Sequence, residues 1–214
     1  MSFCDKMKKY QLGIKGGLNM TVVCLIRHGE TDWNAQGKIQ GKTDIPLNEA
    51  GIQQALQCGA YLSASDWDLI ITSPLQRARR TAEIINESLD LPLFEMEEFA
   101  EKHFGDAEGL TFEERALTYP DRHYPNQEDN ILFSERLATG LKVINDRYPK
   151  QRVLLVSHGG VINAILGELS DGEIGSGKTR LLNACLSHIH FDKENWIIQN
   201  YNQVSHLEKT VSQR

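Results

Sequence analysis

The sequence predicts an α/β protein, a three-layer sandwich in which helices cover both faces of a mostly parallel sheet. Short, continuous apolar runs occur at 22–26, 69–71 and 153–156. Such runs are typical of strands that are buried on both faces. Segments with apolar residues at helical spacing separate these runs, and alternation of strands with helices favours parallel pairing.

The first half of the chain supplies two of these strands. Val22–Ile26 is the first continuous apolar run, and Leu69–Ile71 is the second. Between them, apolar residues recur every three or four positions over Asn48–Leu62, which predicts a helix with one buried face.

A clear helix start follows the second strand. Ser73 suits the N-cap position, Pro74 suits the first helical position, and Gln76 can complete a capping box. We therefore predict a helix that begins at Ser73.

The second half of the chain repeats the alternation. A helix is predicted over Ser134–Tyr148, a third buried strand at Val153–Val156, and a further helix over Val161–Leu169. The chain then predicts a pair of strands, Ala184–Phe191 and Trp196–Ile198, that are joined by a short turn.

The same patterns predict one domain with two flanking segments. Residues 1–19 are glycine- and lysine-rich and are predicted to be a flexible N-terminal extension, with a short amphipathic arm as the alternative. We expect residues 20–205 to form the domain and 206–214 to form a tail. The irregular segment 95–130 is predicted to be a helical flap over one edge of the sheet.

Charge and hydropathy exclude several classes of protein. The 214 residues include 23 Lys and Arg against 29 Asp and Glu, giving a net charge of −6. Removing residues 1–19, which hold four lysines and one aspartate, leaves −9. This balance, without a basic tract, argues against nucleic acid as a partner. No apolar stretch approaches ~18 residues, so no membrane span is predicted.

The cysteines give a prediction about the compartment. Cys4, Cys24, Cys58 and Cys185 are widely spaced and contain no CxxC pair. That spacing argues against a zinc site and against a disulfide framework. We expect reduced thiols and a cytoplasmic protein.

Two histidine–glycine pairs mark the ends of predicted strands. Arg27–Thr31 reads RHGET and follows the first strand, whereas Ser157–Gly160 reads SHGG and follows the third. Ligands of open α/β sheets bind beyond the carboxyl ends of the strands. Both pairs are therefore expected at one ligand site.

Four segments together resemble the histidine phosphatase superfamily, also called the phosphoglycerate mutase-like family. They are RHGETDWN at 27–34, SPLQRARRTA at 73–82, EKHFGDAEG at 101–109, and SHGG at 157–160. The segments occur in the order that the family has, and four matches are far more specific than one. The resemblance implies a phosphoglycerate mutase-like fold. One departure is Ala107, where phosphatase-like members often have tryptophan.

The chemistry of phosphoryl transfer suits the residues in these segments. A neutral imidazole can attack phosphorus, and we assign this nucleophilic role to His28. Arg27 and Arg77 offer planar donor forks for the phosphoryl oxygens, and His158 adds a further donor. Asn34 and the backbone at Gly159 are expected to supply extra substrate contacts.

The leaving group requires an acid. Glu101 matches the family's general acid and is the predicted residue, with Glu108 as the alternative. Lys102 and His103 are either substrate contacts or surface residues, and we expect Lys102 to bind substrate.

A further motif competes with this interpretation. Residues 172–179, GEIGSGKT, satisfy the P-loop pattern GxxxxGK[ST]. That pattern binds nucleotides only between a buried strand and a helix. Here it follows a predicted helix and precedes a predicted strand, so we expect a glycine-rich loop without a nucleotide.

The combined expectation is a metal-independent phosphatase that needs no cofactor. It is expected to hydrolyse a small phosphorylated metabolite, as a monomer or a homodimer. A phosphomutase of the same superfamily is the main alternative, because Glu101–Gly105 resembles the mutase version of its segment. The stretch between Glu101 and His158 is short for the mutase branch. A non-catalytic phosphate-binding scaffold is a third alternative.

Overall fold

A six-stranded sheet forms the centre of the computed structural model, which describes residues 20–207. The predicted extension at 1–19 and most of the predicted tail therefore lie outside the described residues. The strands are β1 (Val22–Arg27), β2 (Leu69–Thr72), β3 (Leu93–Glu95), β4 (Arg152–Ser157), β5 (Leu186–Asp192) and β6 (Asn195–Gln203).

The sheet is mostly parallel, as predicted. Its strand order is β3-β2-β4-β1-β5-β6, and the first four strands run parallel to their neighbours. β5 pairs antiparallel with β1, and β6 returns antiparallel beside it. The central strands β1, β2 and β4 are the three continuous apolar runs of the sequence, because nearly every residue of these strands is buried between the two layers of helices.

Helices cover both faces of the sheet. They are α1 (Asp32–Ala35), α2 (Glu49–Leu62), α3 (Gln76–Asn86), α4 (Phe112–Thr118), α5 (Asn130–Arg147) and α6 (Gly159–Leu169). One core packs α5 and α6 against the face that holds Val23, Ile71 and Leu155. The other packs α2 and α3 against the face that holds Cys24 and Leu154. The predicted three-layer sandwich is confirmed.

The prediction that α3 begins at Ser73 was wrong. The helix begins at Gln76, with Leu75 in the N-cap position. Asp44 takes over the capping, because its Oδ1 accepts from the backbone N–H of Gln76 at 3.0 Å. Ser73 stays buried, and its hydroxyl turns toward another element of the fold.

Three other elements, α5, β3 and β6, also differ from the prediction. α5 begins one turn earlier than Ser134 and is capped by Asp129, whose Oδ1 accepts from the backbone N–H groups of Ile131 and Leu132. Those two side chains are 67% and 62% exposed, so they do not follow the helix's apolar pattern. β3 was not predicted, because it has three residues and lies at an edge of the sheet. β6 extends well beyond Ile198 through polar residues.

The irregular segment 95–130 contains two short 3₁₀ turns, Glu97–Phe99 and Gly105–Ala107, before α4. No helix within residues 20–207 combines the length and the apolar character that crossing a bilayer requires.

Candidate active site

The two histidine–glycine pairs meet at one end of the sheet. β1 and β4 are parallel neighbours, and Arg27 is in register with Ser157. The backbone N–H of His28 donates to the carbonyl of Ser157 at 2.9 Å. The imidazole rings of His28 and His158 consequently lie 5.2 Å apart between centroids, tilted by 59°.

A cavity of about 180 Å³ opens beside the His28 ring. Six of the predicted site residues line it: Arg27, His28, Asn34, Arg77, Glu101 and Gly159. Phe104 and Gly160 belong to two of the recognised segments and also line it, and the sequence did not indicate the other three residues of its walls, Lys38, Ile39 and Gln40. The predicted residues thus come from four separate segments of the chain to one small space.

The His28 ring is held with one nitrogen free. Its Nδ1 lies 2.7 Å from the carbonyl oxygen of Gly29, and a carbonyl can only accept. Nδ1 therefore carries the hydrogen, and the lone pair of the neutral ring is on Nε2. Burial lowers the pKa of His28 well below its ordinary value, and the charges of Arg77 and Arg27 lower it further. The ring is uncharged at neutral pH.

His158 is fully buried behind this cavity and is fixed by a serine. Its Nε2 lies 2.7 Å from Oγ of Ser73, which also accepts from the backbone N–H of Leu75 at 3.2 Å. Nδ1 of His158 is buried without a hydrogen-bond partner among the described residues. Burial lowers the pKa of His158, and neighbouring Arg77 adds to the effect.

Arg77 lies in the first turn of α3 and is fully buried. Its Nη2 donates to the carbonyl of Gly41 at 2.8 Å, and its Nη1 donates to the carbonyl of Thr43 at 3.1 Å. Asp44 is 3.7 Å from Nη1. These contacts hold the guanidinium at the cavity wall, and its Nε has no partner within residues 20–207.

Arg27 is the second arginine of the cavity. It ends β1, and its Nη1 donates to the carbonyl of Leu181 at 2.6 Å. Its Nε is buried without a partner among the described residues. Two fixed guanidinium groups at one cavity suit a group with several anionic oxygens.

Glu101 lies against the N-terminus of α6. Its carboxylate accepts from the backbone N–H groups of Gly160 at 2.9 Å, Val161 at 3.2 Å and Lys102 at 2.9 Å. A Cβ at position 160 would lie 2.5 Å from Oε1 of Glu101, so a larger residue there would displace this carboxylate. Burial raises the pKa of Glu101, and the backbone N–H groups of Gly160 and Lys102 only partly offset this effect.

Glu108, the alternative acid, has a different environment. Its carboxylate accepts from the backbone N–H groups of Lys42, Thr43 and Phe104 at 2.8–3.1 Å, and from the Thr43 hydroxyl. Burial alone would raise the pKa of Glu108, but these hydrogen bonds outweigh it and the pKa is lowered. Glu108 does not line the cavity, and it fastens the loop whose carbonyls hold Arg77.

The remaining predicted contacts divide into two groups. Asn34 lines the cavity, and its Oδ1 accepts from Asn183 Nδ2 at 3.0 Å and from Thr31 N at 3.2 Å, so Nδ2 is its remaining donor. Lys102 does not line the cavity, and its Nζ donates to Oδ1 of Asn130. His103 lies beside Glu108, 3.6 Å from it, and is also outside the cavity wall.

The P-loop pattern at 172–179 does not lie between a strand and a helix, as a P-loop requires. The segment follows α6, precedes β5, and has no strand before it. Nζ of Lys178 donates to the carbonyl of Gly172 within the same loop. Within residues 20–207, no group of three His, Cys, Asp or Glu side chains could hold a metal ion.

Known proteins are similar to this chain in sequence and in fold. The sequence profile of the histidine phosphatase superfamily (branch 1) matches residues 23–204. The chain is 55% identical over 188 residues to the uncharacterized phosphatase PhoE of Bacillus subtilis (strain 168), covering 88% of this chain and 97% of that protein. It is 32% identical over 213 residues to the metal-independent phosphoserine phosphatase of Arabidopsis thaliana, covering 93% of this chain and 88% of that protein.

A solved structure agrees with these relatives. Bacillus stearothermophilus YhfR superposes with a TM-score of 0.81 at 29% identity, covering 88% of this chain and all of that one. The predicted phosphoglycerate mutase-like fold and the prediction of a histidine phosphatase are both confirmed. The chain belongs to branch 1 of the histidine phosphatase superfamily.

Proposed function

We propose that this protein hydrolyses small phosphorylated metabolites in two steps, through a phosphohistidine on His28. The observation that carries the proposal is the hydrogen bond from Nδ1 of His28 to the carbonyl of Gly29. It leaves the lone pair on Nε2 of a neutral, buried ring that lines a cavity with two arginines. A histidine can act as a nucleophile only when the attacking nitrogen is unprotonated, because that nitrogen must supply the lone pair.

In the first step, Nε2 of His28 forms a bond to phosphorus, and the bond from phosphorus to the ester oxygen breaks. The leaving oxygen takes a proton from Glu101, whose raised pKa favours the protonated form that the step requires. The products are the alcohol, a phosphohistidine and an ionised Glu101.

In the second step, ionised Glu101 takes a proton from water as the water oxygen bonds to phosphorus. The nitrogen–phosphorus bond breaks and its electron pair returns to Nε2, so inorganic phosphate leaves and both residues regain their starting states. Arg27 and Arg77 stabilise the charge on the equatorial oxygens during both transfers. His158 and Asn34 supply further donors.

The residues outside the central site complete the proposal. Residues 20–205 act as one catalytic domain, to whose cavity wall the segment 95–130 contributes Glu101 and Phe104. Lys102 would contact substrate only if its Nζ left Asn130. The described cysteines at 24, 58 and 185 are free, which suits the reducing conditions of the cytoplasm.

The test is a hydrolysis screen over phosphorylated metabolites, with and without excess chelator. We expect phosphate release from several phosphomonoesters, no loss with chelator, and no release by the H28A variant that remains folded by circular dichroism. Normal turnover by H28A would contradict the proposal. Adding a bisphosphoglycerate to the screen distinguishes the phosphomutase alternative, which predicts transfer between hydroxyl groups in place of phosphate release.

A further inference from the structure

A second cavity, of about 460 Å³, adjoins the phosphoryl site and shares Arg27 and Gly159 with it. Its other walls are Asn163 on α6 and residues 177–181. Residues 177–179 are the end of the glycine-rich loop that matches the P-loop pattern, and residues 180–181 follow it directly. The loop therefore borders the active site, although it is not placed to bind a nucleotide in the manner of a P-loop.

The charge of this second cavity is uniformly positive. Lys178, Arg180 and Arg27 line it, and none of its lining residues is an aspartate or a glutamate. This is unusual in a chain whose net charge is −6. No carboxylate in the cavity wall would repel an anionic group here, and three cations line the wall.

The guanidinium of Arg180 has no partner in the part of the chain that the structure describes. Within residues 20–207 it forms no hydrogen bond and no ion pair, whereas the exposed Arg79 and Arg80 each pair with Glu83. Burial lowers the pKa of Arg27, the charges of Cys185 and Glu101 partly offset this, and the nearby charge of Arg180 acts in the lowering direction. A bound anion would relieve this repulsion.

The backbone that carries Arg180 is fixed beside the active site. Arg27 donates to the carbonyl of Leu181 at 2.6 Å. Asn202 on β6 donates through Nδ2 to the carbonyl of Arg180 at 3.1 Å and accepts from the N–H of Leu182 at 2.9 Å. Nε of Arg27 is buried without a partner among the described residues. Arg27, which lines both cavities, therefore retains an unpaired N–H donor.

We propose that this cavity binds a second anionic group of the substrate, and that Arg180 determines specificity. The preferred substrates would be phosphomonoesters that carry a carboxylate or a further phosphate close to the ester. Their phosphoryl group would lie against His28, and their second anion would lie between Arg27 and Arg180. This inference rests on the proposed phosphatase function.

The test compares two substrates that differ in one charge: 3-phosphoglycerate and glycerol 3-phosphate. We measure kcat and KM for the wild type, R180Q and R180K, with R147Q as the control. Arg147 ends α5 at the opposite end of the sheet and is exposed, as Arg180 is, so R147Q removes the same charge far from the site. If Arg180 makes a charge-assisted contact, R180Q should lower the ratio of kcat/KM for 3-phosphoglycerate to kcat/KM for glycerol 3-phosphate about tenfold. Most of this change should come from a higher KM for 3-phosphoglycerate. R180K restores part of the ratio, and R147Q keeps it.

A third substrate, propane-1,3-diol bisphosphate, identifies the anion. Dependence on Arg180 for the bisphosphate alone assigns the site to phosphate, and dependence for 3-phosphoglycerate assigns it to carboxylate. If R180Q leaves the ratios for both anionic substrates unchanged while His28-dependent hydrolysis persists, the second site is wrong and the phosphatase function stands. If the wild type hydrolyses none of these esters or p-nitrophenyl phosphate, both proposals are wrong.

Discussion

Oγ of Ser73 lies 2.7 Å from Nε2 of His158, and this contact joins the end of β2 to the end of β4. The two residues are both fully buried. The hydroxyl holds the ring of His158 beside His28. Ser73 does not line the cavity, yet it sets the position of His158, which is expected to bind the phosphoryl group.

The S73A variant should therefore lose activity without losing its fold. Removing one buried hydrogen bond leaves Nε2 of His158 without its partner, and we expect kcat/KM to fall about tenfold. Steady-state kinetics check this, with S63A as the control because the Ser63 hydroxyl bonds only to the carbonyl of Ala60 on the surface. Full activity of S73A would show that the contact does not position His158.

Glu101 should act on the leaving group. The E101Q variant cannot donate a proton, so alkyl phosphates, whose alcohols leave poorly, should slow about 10²–10⁴-fold. p-Nitrophenyl phosphate should slow much less, because its leaving group needs no proton. The measurement is kcat for both esters, and equal slowing would contradict the general-acid role.

The Glu108 carboxylate should be structural. E108Q places an amide N–H against backbone donors at Lys42 and Thr43, which loosens the loop that holds Arg77. We expect a lower Tm and similar slowing of alkyl and aryl esters. A loss confined to alkyl esters would instead make Glu108 the acid.

The pH dependence follows from two opposite pKa shifts. His28 must be neutral to attack, and its pKa is lowered by burial and by Arg77, so activity falls only below the ordinary histidine range. Glu101 must be protonated in the first step, and its raised pKa moves the loss of activity on the alkaline side above the ordinary carboxyl range. The profile of kcat/KM for an alkyl ester, corrected for substrate ionisation, should therefore be bell-shaped.

The E101Q variant provides the control for this profile. It should keep the acidic limb and lose the alkaline limb, because glutamine does not titrate. An alkaline limb that persists in E101Q would assign that limb to another group.

The sequence predicted the residues whose place follows from strand ends. His28 and His158 follow strands that are continuous apolar runs, and parallel neighbours bring such ends together. Glu101 could be chosen among nearby glutamates only through the family resemblance. Its burial against α6 is a tertiary property that no local pattern contains.

Other parts of the site could not be predicted. Ser73 satisfied the local rules for an N-cap, yet its hydroxyl bonds to a residue 85 positions away. Gln40 and Lys38 lie in an irregular loop, so no periodicity indicated that they line the cavity. Phe104 was part of a recognised segment, but its contact with the cavity depends on the path of the chain after Glu101.

The phosphohistidine can be trapped directly by rapid quenching of the enzyme with a ³²P-labelled aryl phosphate. The two-step mechanism predicts an acid-labile, alkali-stable label of at most one phosphoryl group per chain, located at His28 and absent from H28A. Turnover without any labelled protein, or a label that persists in H28A, would contradict the phosphohistidine mechanism.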